Sequence, residues 1–241
     1  MKLLLLLILA LVKQNDFLTQ QKTYSRVRTA FVSKEAIVNK LLAGQNIKPS
    51  ALNILLVAYK QEQLLEVYAK NTHDKNYVKL VSYPICASSG ELGPKRQQGD
   101  AQVPEGFYSV ANYNPASSYY LSLGLNYPNK ADRIKSTATH LGGDIFIHGE
   151  CVTIGCLPMT NNKIKEIYLL AILAHSNKQI IPVYVFPFKF TTQNITSYYA
   201  TYKGNTALLN FWNNLKIGYD TFTQTHQQLN VTVDAKGNYT F

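Results

Sequence analysis

From Ala51 onward the apolar residues fall into short runs, many with the two-residue alternation of a β-sheet. "ALNILLVAYKQ" and "QLLEVYAKNT" read as two strands joined by a short polar turn, followed by "NYVKLVSYPI" and "GFYSVANY". "DIFIHGE" is apolar up to His148 and reads as a buried strand that ends at the histidine. "QIIPVYVFPF" is a further strand, with Pro182 and Pro187 placing it at an edge or marking its ends. The period changes to that of a helix in three places. Ile37, Val38, Leu41 and Leu42 share one face, with Ser33 as the expected N-cap and Gly44 as the stop. Ile164, Ile167, Tyr168 and Ala171 follow i, i+3, i+4, i+7, with Thr160 or Asn161 as the cap. Leu208, Phe211, Trp212 and Leu215 form a third apolar stripe near the C-terminus. The expected class is therefore mostly β with peripheral helices, an α+β arrangement.

Two stretches have no periodicity. Residues 13–29 are polar and read as a linker. "SSGELGPKRQQGDAQVPEG" is rich in Gly, Pro and charge, and so long an irregular segment inside a domain is more often functional than connecting.

Composition changes the picture in two ways. The net charge is +10, because acidic residues are scarce rather than because basic ones cluster. Such a surface favours an anionic partner: nucleic acid, a membrane surface or an acidic polymer. The N-terminal "MKLLLLLILALVKQND" has a lysine before an apolar run from Leu3 to Val12. That run is too short to span a bilayer but has the length of an export signal's core, and it could also stay as a membrane anchor. Either outcome implies a periplasmic or otherwise exported protein. Export, and the lack of a recognition motif, speak against nucleic acid.

Export also alters the reading of the cysteines, because three thiols in an oxidising compartment leave one unpaired. His148, Cys151 and Cys156 have the spacing H-x2-C-x4-C, which supplies three ligands where a closed zinc site needs four, so no metal and no other cofactor is expected. A disulfide could join Cys151 to Cys156, or Cys86 to Cys151 if their strand ends meet. Alternatively, Cys156 is a nucleophile with His148 as its base. A helix beginning just beyond Cys156 would favour its thiolate if the dipole points there. Gly155 permits a sharp turn and close approach, the backbone N–H groups of Ile154, Gly155 and Cys156 could receive an oxyanion, and a carbonyl at Gly149 could orient the imidazole.

The stretch "IHGECVTIGCLPMT" resembles the active-site segment of the YkuD-type L,D-transpeptidase domain of bacterial cell-wall enzymes. The family pattern is His-Gly, then Ser-His-Gly-Cys, matched here by His148-Gly149 and by Thr153-Ile154-Gly155-Cys156. Ile154 stands where the family has its second histidine, and Pro158 replaces the customary Arg or Asn. "SSGELGPKRQQGDAQVPEGFY", "NPASSYYLSLGLNYPNKAD" and "GCLPMTNNKIKEIY" are similar to the YafK-like branch of that family. The resemblance implies a YkuD-like β-sandwich core with an N-terminal helix and a C-terminal extension. Together with the apolar N-terminal run and the helical periodicity, it divides the chain into residues 1–20 as signal or anchor, 21–50 as linker and helix, 51–195 as catalytic domain and 196–241 as extension.

It further implies acyl transfer on peptidoglycan stem peptides, with Cys156 as nucleophile, His148 as base, Gly149 orienting it, and Gly155 at the oxyanion. Hydrolysis that releases cross-links or a peptidoglycan-linked protein is the alternative outcome, and a non-catalytic wall-binding module the third. For substrate contacts the sequence offers Thr153, whose hydroxyl matches the family's serine, Lys95 and Arg96 in the irregular loop, Arg133, and the tyrosines Tyr108, Tyr119 and Tyr120.

Overall fold

The computed structural model of the protein describes residues 17–241. The apolar run Leu3–Val12, with its expected role in export or anchoring, lies outside the described residues. Among the described residues no helix is long and apolar enough to cross a membrane.

The α+β class holds. Strands β1 (Leu52–Tyr59), β2 (Leu64–Asn71), β3 (Val78–Pro84) and β4 (Gly106–Asn114) appear in the segments whose alternation announced them. They join β5 (Ser122–Leu125), β6 (Phe146–His148), β7 (Leu157–Pro158) and β8 (Pro182–Phe186) in one sheet of order β3-β2-β1-β8-β4-β5-β6-β7. The pairs β1/β8 and β6/β7 are parallel and the others antiparallel. β8 is central, and its prolines do not interrupt it. Pro182 opens the strand and Pro187 follows its last residue, so each marks an end.

The eight residues of β1 are all buried because both faces of the sheet are covered here. Leu52, Ile54, Leu56 and Ala58 belong to a core shared with α1 (Ser25–Ala43) and α3 (Asn161–Ser176). Leu55, Val57 and Tyr59 belong to a second core with Phe211, Trp212 and Leu215 of α5 (Thr206–Thr225). The short helices α2 (Lys130–Lys135) and α4 (Thr192–Thr201), and the β9/β10 hairpin (Thr232–Val233 and Tyr239–Thr240), complete the periphery.

α1 begins at Ser25 with Tyr24 as its N-cap, so Ser33 lies inside the helix and residues 17–22 are already helical. The linker expected over 13–29 is thus largely helix where it is described. Val27, Ala30 and Phe31 extend the apolar face upstream, and all three are buried. α3, in contrast, starts where its sequence signals placed it: Thr160 is the N-cap, and its side chain accepts from the Lys163 N–H.

The sheet is strongly curled. β3 and β7 stand at opposite ends of the strand order, yet the Cys86 N–H beyond β3 donates to the carbonyl of Pro158 at 3.0 Å. Lys163 Nζ donates to the carbonyl of Pro84 at 3.0 Å across the same junction. Cys86 and Cys151 are joined by a disulfide there, with Cα atoms 5.5 Å apart, and Cys156 remains a free thiol. The covalent link therefore staples one edge of the sheet to the loop between β6 and β7.

Candidate active site

His148 is the last residue of β6, and Cys156 immediately precedes β7. The parallel register pairs Ile147 with Leu157 and His148 with Pro158. Residues two apart share a face of a strand, so Cys156 projects to the same side as His148, as its diagonal neighbour. Ile147 and Leu157, with the opposite parity, are buried in the core beneath.

His148 is almost wholly buried, at 1% exposure. Its Nδ1 lies 2.5 Å from the Gly149 carbonyl. A carbonyl can only accept, so Nδ1 carries the proton and Nε2 keeps its lone pair. Burial lowers the imidazole's pKa below the ordinary histidine value, opposed by the Gly149 carbonyl and by the negative charge of Glu150. The ring is thus held neutral with an unprotonated Nε2, the state a base requires. Only glycine fits at position 149: a Cβ there would sit 2.4 Å from Asn161 Oδ1 and 2.8 Å from the Tyr119 carbonyl. Asn161 Oδ1 accepts the Glu150 N–H at 2.9 Å, fixing the turn that follows.

The Cys156 sulfur is half-buried. It donates to the Asp144 carbonyl and accepts from the Phe146 N–H, both at 3.4 Å. No hydrogen bond among the described residues joins it to the imidazole. Burial raises the thiol's pKa, the Phe146 N–H lowers it, the charge of Asp144 raises it and the Lys95 ammonium lowers it, with burial prevailing. The start of α3, five residues on, does not reverse this balance, so the resting pair is a neutral thiol beside a neutral imidazole. A cleft of about 350 Å³ reaches the sulfur, lined by Lys95, Gln98, Gly142, Asp144 and Ile154 among others.

Thr153 shapes the turn before Cys156. Its hydroxyl accepts from the N–H groups of Gly155 at 3.2 Å and Cys156 at 2.8 Å, and donates to the Cys156 carbonyl at 2.9 Å. Gly155 has φ +133°, and a Cβ on it would lie 3.0 Å from the Gln102 carbonyl, so glycine is needed both for conformation and for space. The Ile154 side chain is 85% exposed at the cleft.

The structure sorts the expected substrate residues. Lys95 lines the cleft, but it is buried and already held by Asp100 at 2.5 Å and the Gln97 carbonyl at 2.8 Å. Arg96 does not line this cleft. It pairs with Asp132 at 3.2 Å, lies over the Phe211 ring and lines a separate groove of about 440 Å³. Tyr108 is buried at 4% exposure, its hydroxyl bonds to Asp132 and the Glu105 carbonyl, and it does not line the cleft at Cys156. Tyr119 lies against the site, its ring 4.6 Å from the His148 ring at an angle of 35°. Asp144 and the Gly142-Gly143 turn were missed from sequence, although paired glycines before a strand signal a chain reversal beside it.

The chain's residues 53–185 match the model of the L,D-transpeptidase catalytic domain, YkuD. The chain belongs to this family. It is 38% identical over 190 residues to a protein named "Putative L,D-transpeptidase YafK" in Escherichia coli strain K12, covering 77% of this chain and 72% of that one. The same figures hold for the protein of that name in Escherichia coli O157:H7. Among solved structures, the helical cell shape determining protein Pgp2 of Campylobacter jejuni aligns with TM-score 0.46 and 16% identity over 82% of this chain and 80% of that one. Bdellovibrio bacteriovorus Bd1075 aligns with TM-score 0.41 and 21% identity over 70% of this chain and 62% of that one. Membership of the YkuD family makes this an L,D-transpeptidase-type protein of the cell wall, and His148 and the cleft that ends at Cys156 both lie within the matched domain.

Proposed function

We propose that the protein is a cysteine acyltransferase acting on peptidoglycan stem peptides. The observation that carries this reading is the cleft that ends at a free thiol, on the same face as an imidazole whose tautomer leaves Nε2 unprotonated. The chain would reach this site by export, and the Cys86–Cys151 disulfide agrees with an oxidising compartment.

In the proposed cycle the substrate carbonyl enters the cleft and Cys156 rotates its S–H from the Asp144 carbonyl toward His148 Nε2. The proton passes to Nε2 as the sulfur forms its bond to the carbonyl carbon. The oxyanion is received by the N–H of Ile154, which has no hydrogen bond within the described residues, and by that of Gly155, which leaves the Thr153 hydroxyl. His148 then gives its proton to the departing amine, the C–N bond breaks and a thioester remains. An amine or water attacks the thioester, gives its proton to Nε2, and the sulfur leaves to regain it. An amine gives a new amide bond, and water gives hydrolysis with release of a cross-link or an attached protein. A neutral pair suits this order of events, because deprotonation and attack coincide and no standing ion pair has to be maintained.

Purified protein incubated with defined muropeptides, with products read by mass, tests the reading. Wild type should convert the stem peptides, and Cys156→Ala and His148→Ala should each lower turnover by on the order of 10³-fold or more. Equal conversion by wild type and Cys156→Ala would dismiss Cys156 as the nucleophile, and no conversion by either would leave a wall-binding module. The product mass decides the acceptor, since hydrolysis adds water and transfer creates a new amide.

A further inference from the structure

The segment Ser117–Tyr120 is fixed from outside the YkuD-matched region. Arg26, on α1, sends Nη1 to two carbonyls of that segment, Ser117 at 2.5 Å and Tyr120 at 2.8 Å. Its guanidinium also lies 5.5 Å over the Tyr120 ring, and Lys165 of α3 lies over the same ring at 5.5 Å. Within the segment the Ser117 hydroxyl accepts the Tyr119 N–H at 3.1 Å, and Tyr120 takes the left-handed conformation at φ +72°. A non-glycine residue is kept in that conformation only where its surroundings hold it.

These restraints have one visible product: the Tyr119 ring lies over His148. Tyr119 is 41% exposed while His148 beneath it is 1% exposed, so the tyrosine separates the imidazole from solvent on that side. Main chain adds to the fit, since the Tyr119 carbonyl packs against Gly149, whose own carbonyl orients the imidazole. The remaining groups around His148 are few. Glu150 contributes its charge from the next turn, Cys156 projects from the β7 side, and Ser122 is the ladder partner on β5.

We propose that Tyr119 is a positioning residue that holds and shields His148, and that Arg26 of the N-terminal helix sets it in place. The helix that precedes the catalytic domain is then part of the base's support. The inference rests on the assignment of His148 as base, but its physical content, a shielded imidazole, can be read without turnover.

The test is an NMR titration of the His148 ring in the otherwise intact protein, together with the pH profile of kcat/KM on muropeptides. In Tyr119→Ala water reaches the ring, so the His148 midpoint should rise toward the ordinary histidine value. The acid limb of kcat/KM should move to higher pH with it. Tyr119→Phe keeps the ring and should titrate like wild type. Arg26→Ala should shift the midpoint in the same direction as Tyr119→Ala, by a smaller amount. A His148 midpoint unchanged in Tyr119→Ala overturns the shielding role, and one unchanged in Arg26→Ala overturns the part assigned to the helix. A shifted midpoint in a protein whose Cys156→Ala form still turns over would keep the positioning and discard the catalytic reading, so the two failures are separable.

Discussion

At the residue scale the central question is the protonation of two side chains. Burial lowers the pKa of His148 and raises that of Cys156, so between the two titrations both groups are neutral. The sign follows directly: in the proposed mechanism acid protonates Nε2 and should stop turnover, and alkali creates a thiolate only above the ordinary thiol range. Alkylation of Cys156 by iodoacetamide should therefore be slow at neutral pH and rise steeply only in alkali beyond the ordinary thiol range. Fast alkylation, flat from about pH 6 to 8, would instead indicate a standing thiolate–imidazolium pair. The two positions proposed to react were legible as candidates in the sequence because a strand ending in His-Gly and a Gly-Cys before a capped helix place chemistry at element ends. Lys95, Arg96 and Tyr108 were harder to assign, since their partners Asp100 and Asp132 become neighbours only through the folded loop and α2. A cation counted as free from sequence can already be neutralised in the fold.

At the element scale, the loop between β6 and β7 is held by three devices: the Thr153 hydroxyl, the Asn161 side chain and the Cys86–Cys151 disulfide. The disulfide closes 65 residues of chain and joins the two edges of the curled sheet. Chain entropy alone puts its contribution at about 4 kcal/mol. The Cys86→Ser, Cys151→Ser double variant should lose about 2–4 kcal/mol of stability in a denaturant titration. Its activity should fall more than its folded fraction does, because the released loop carries both Gly149 and Gly155. Activity that merely follows the folded fraction would confine the bridge to a structural role. The strands β1 to β4 and helices α3 and α5 were visible as periodic runs. β5 and α2 were not, since four and six residues are too few to establish a period. The start of α1 was hidden for a different reason: polar neighbours masked Val27, Ala30 and Phe31, which only packing against the sheet identifies as a face.

At the scale of the whole molecule, the C-terminal region is part of the fold. Lys60 and Glu105 form a buried pair at 3.0 Å, and Trp212 Nε1 donates to Glu105 at 2.9 Å. Lys60 also donates to the carbonyls of Glu91, Gly93 and Val103, so one ammonium gathers both ends of the irregular loop that walls the cleft. Lys60→Ala strands the Glu105 charge in the core and should cost about 3–5 kcal/mol, measured by urea unfolding. A loss below about 1 kcal/mol would contradict this account of the network. Removing residues 196–241 would expose the sheet face of Leu55, Val57, Tyr184 and Phe186, so that truncation should not yield a folded domain. A truncated chain with a cooperative thermal transition would show the face to be dispensable. The whole account depends most on whether Cys156 carries an acyl group during turnover. Rapid quenching of the protein with a muropeptide substrate, followed by intact-mass and peptide analysis, addresses this directly. The account predicts a thioester adduct of stem-peptide mass located on Cys156, present in wild type and absent from Cys156→Ala. Turnover by the wild-type protein with no adduct on Cys156, and with undiminished turnover in Cys156→Ala, would contradict it.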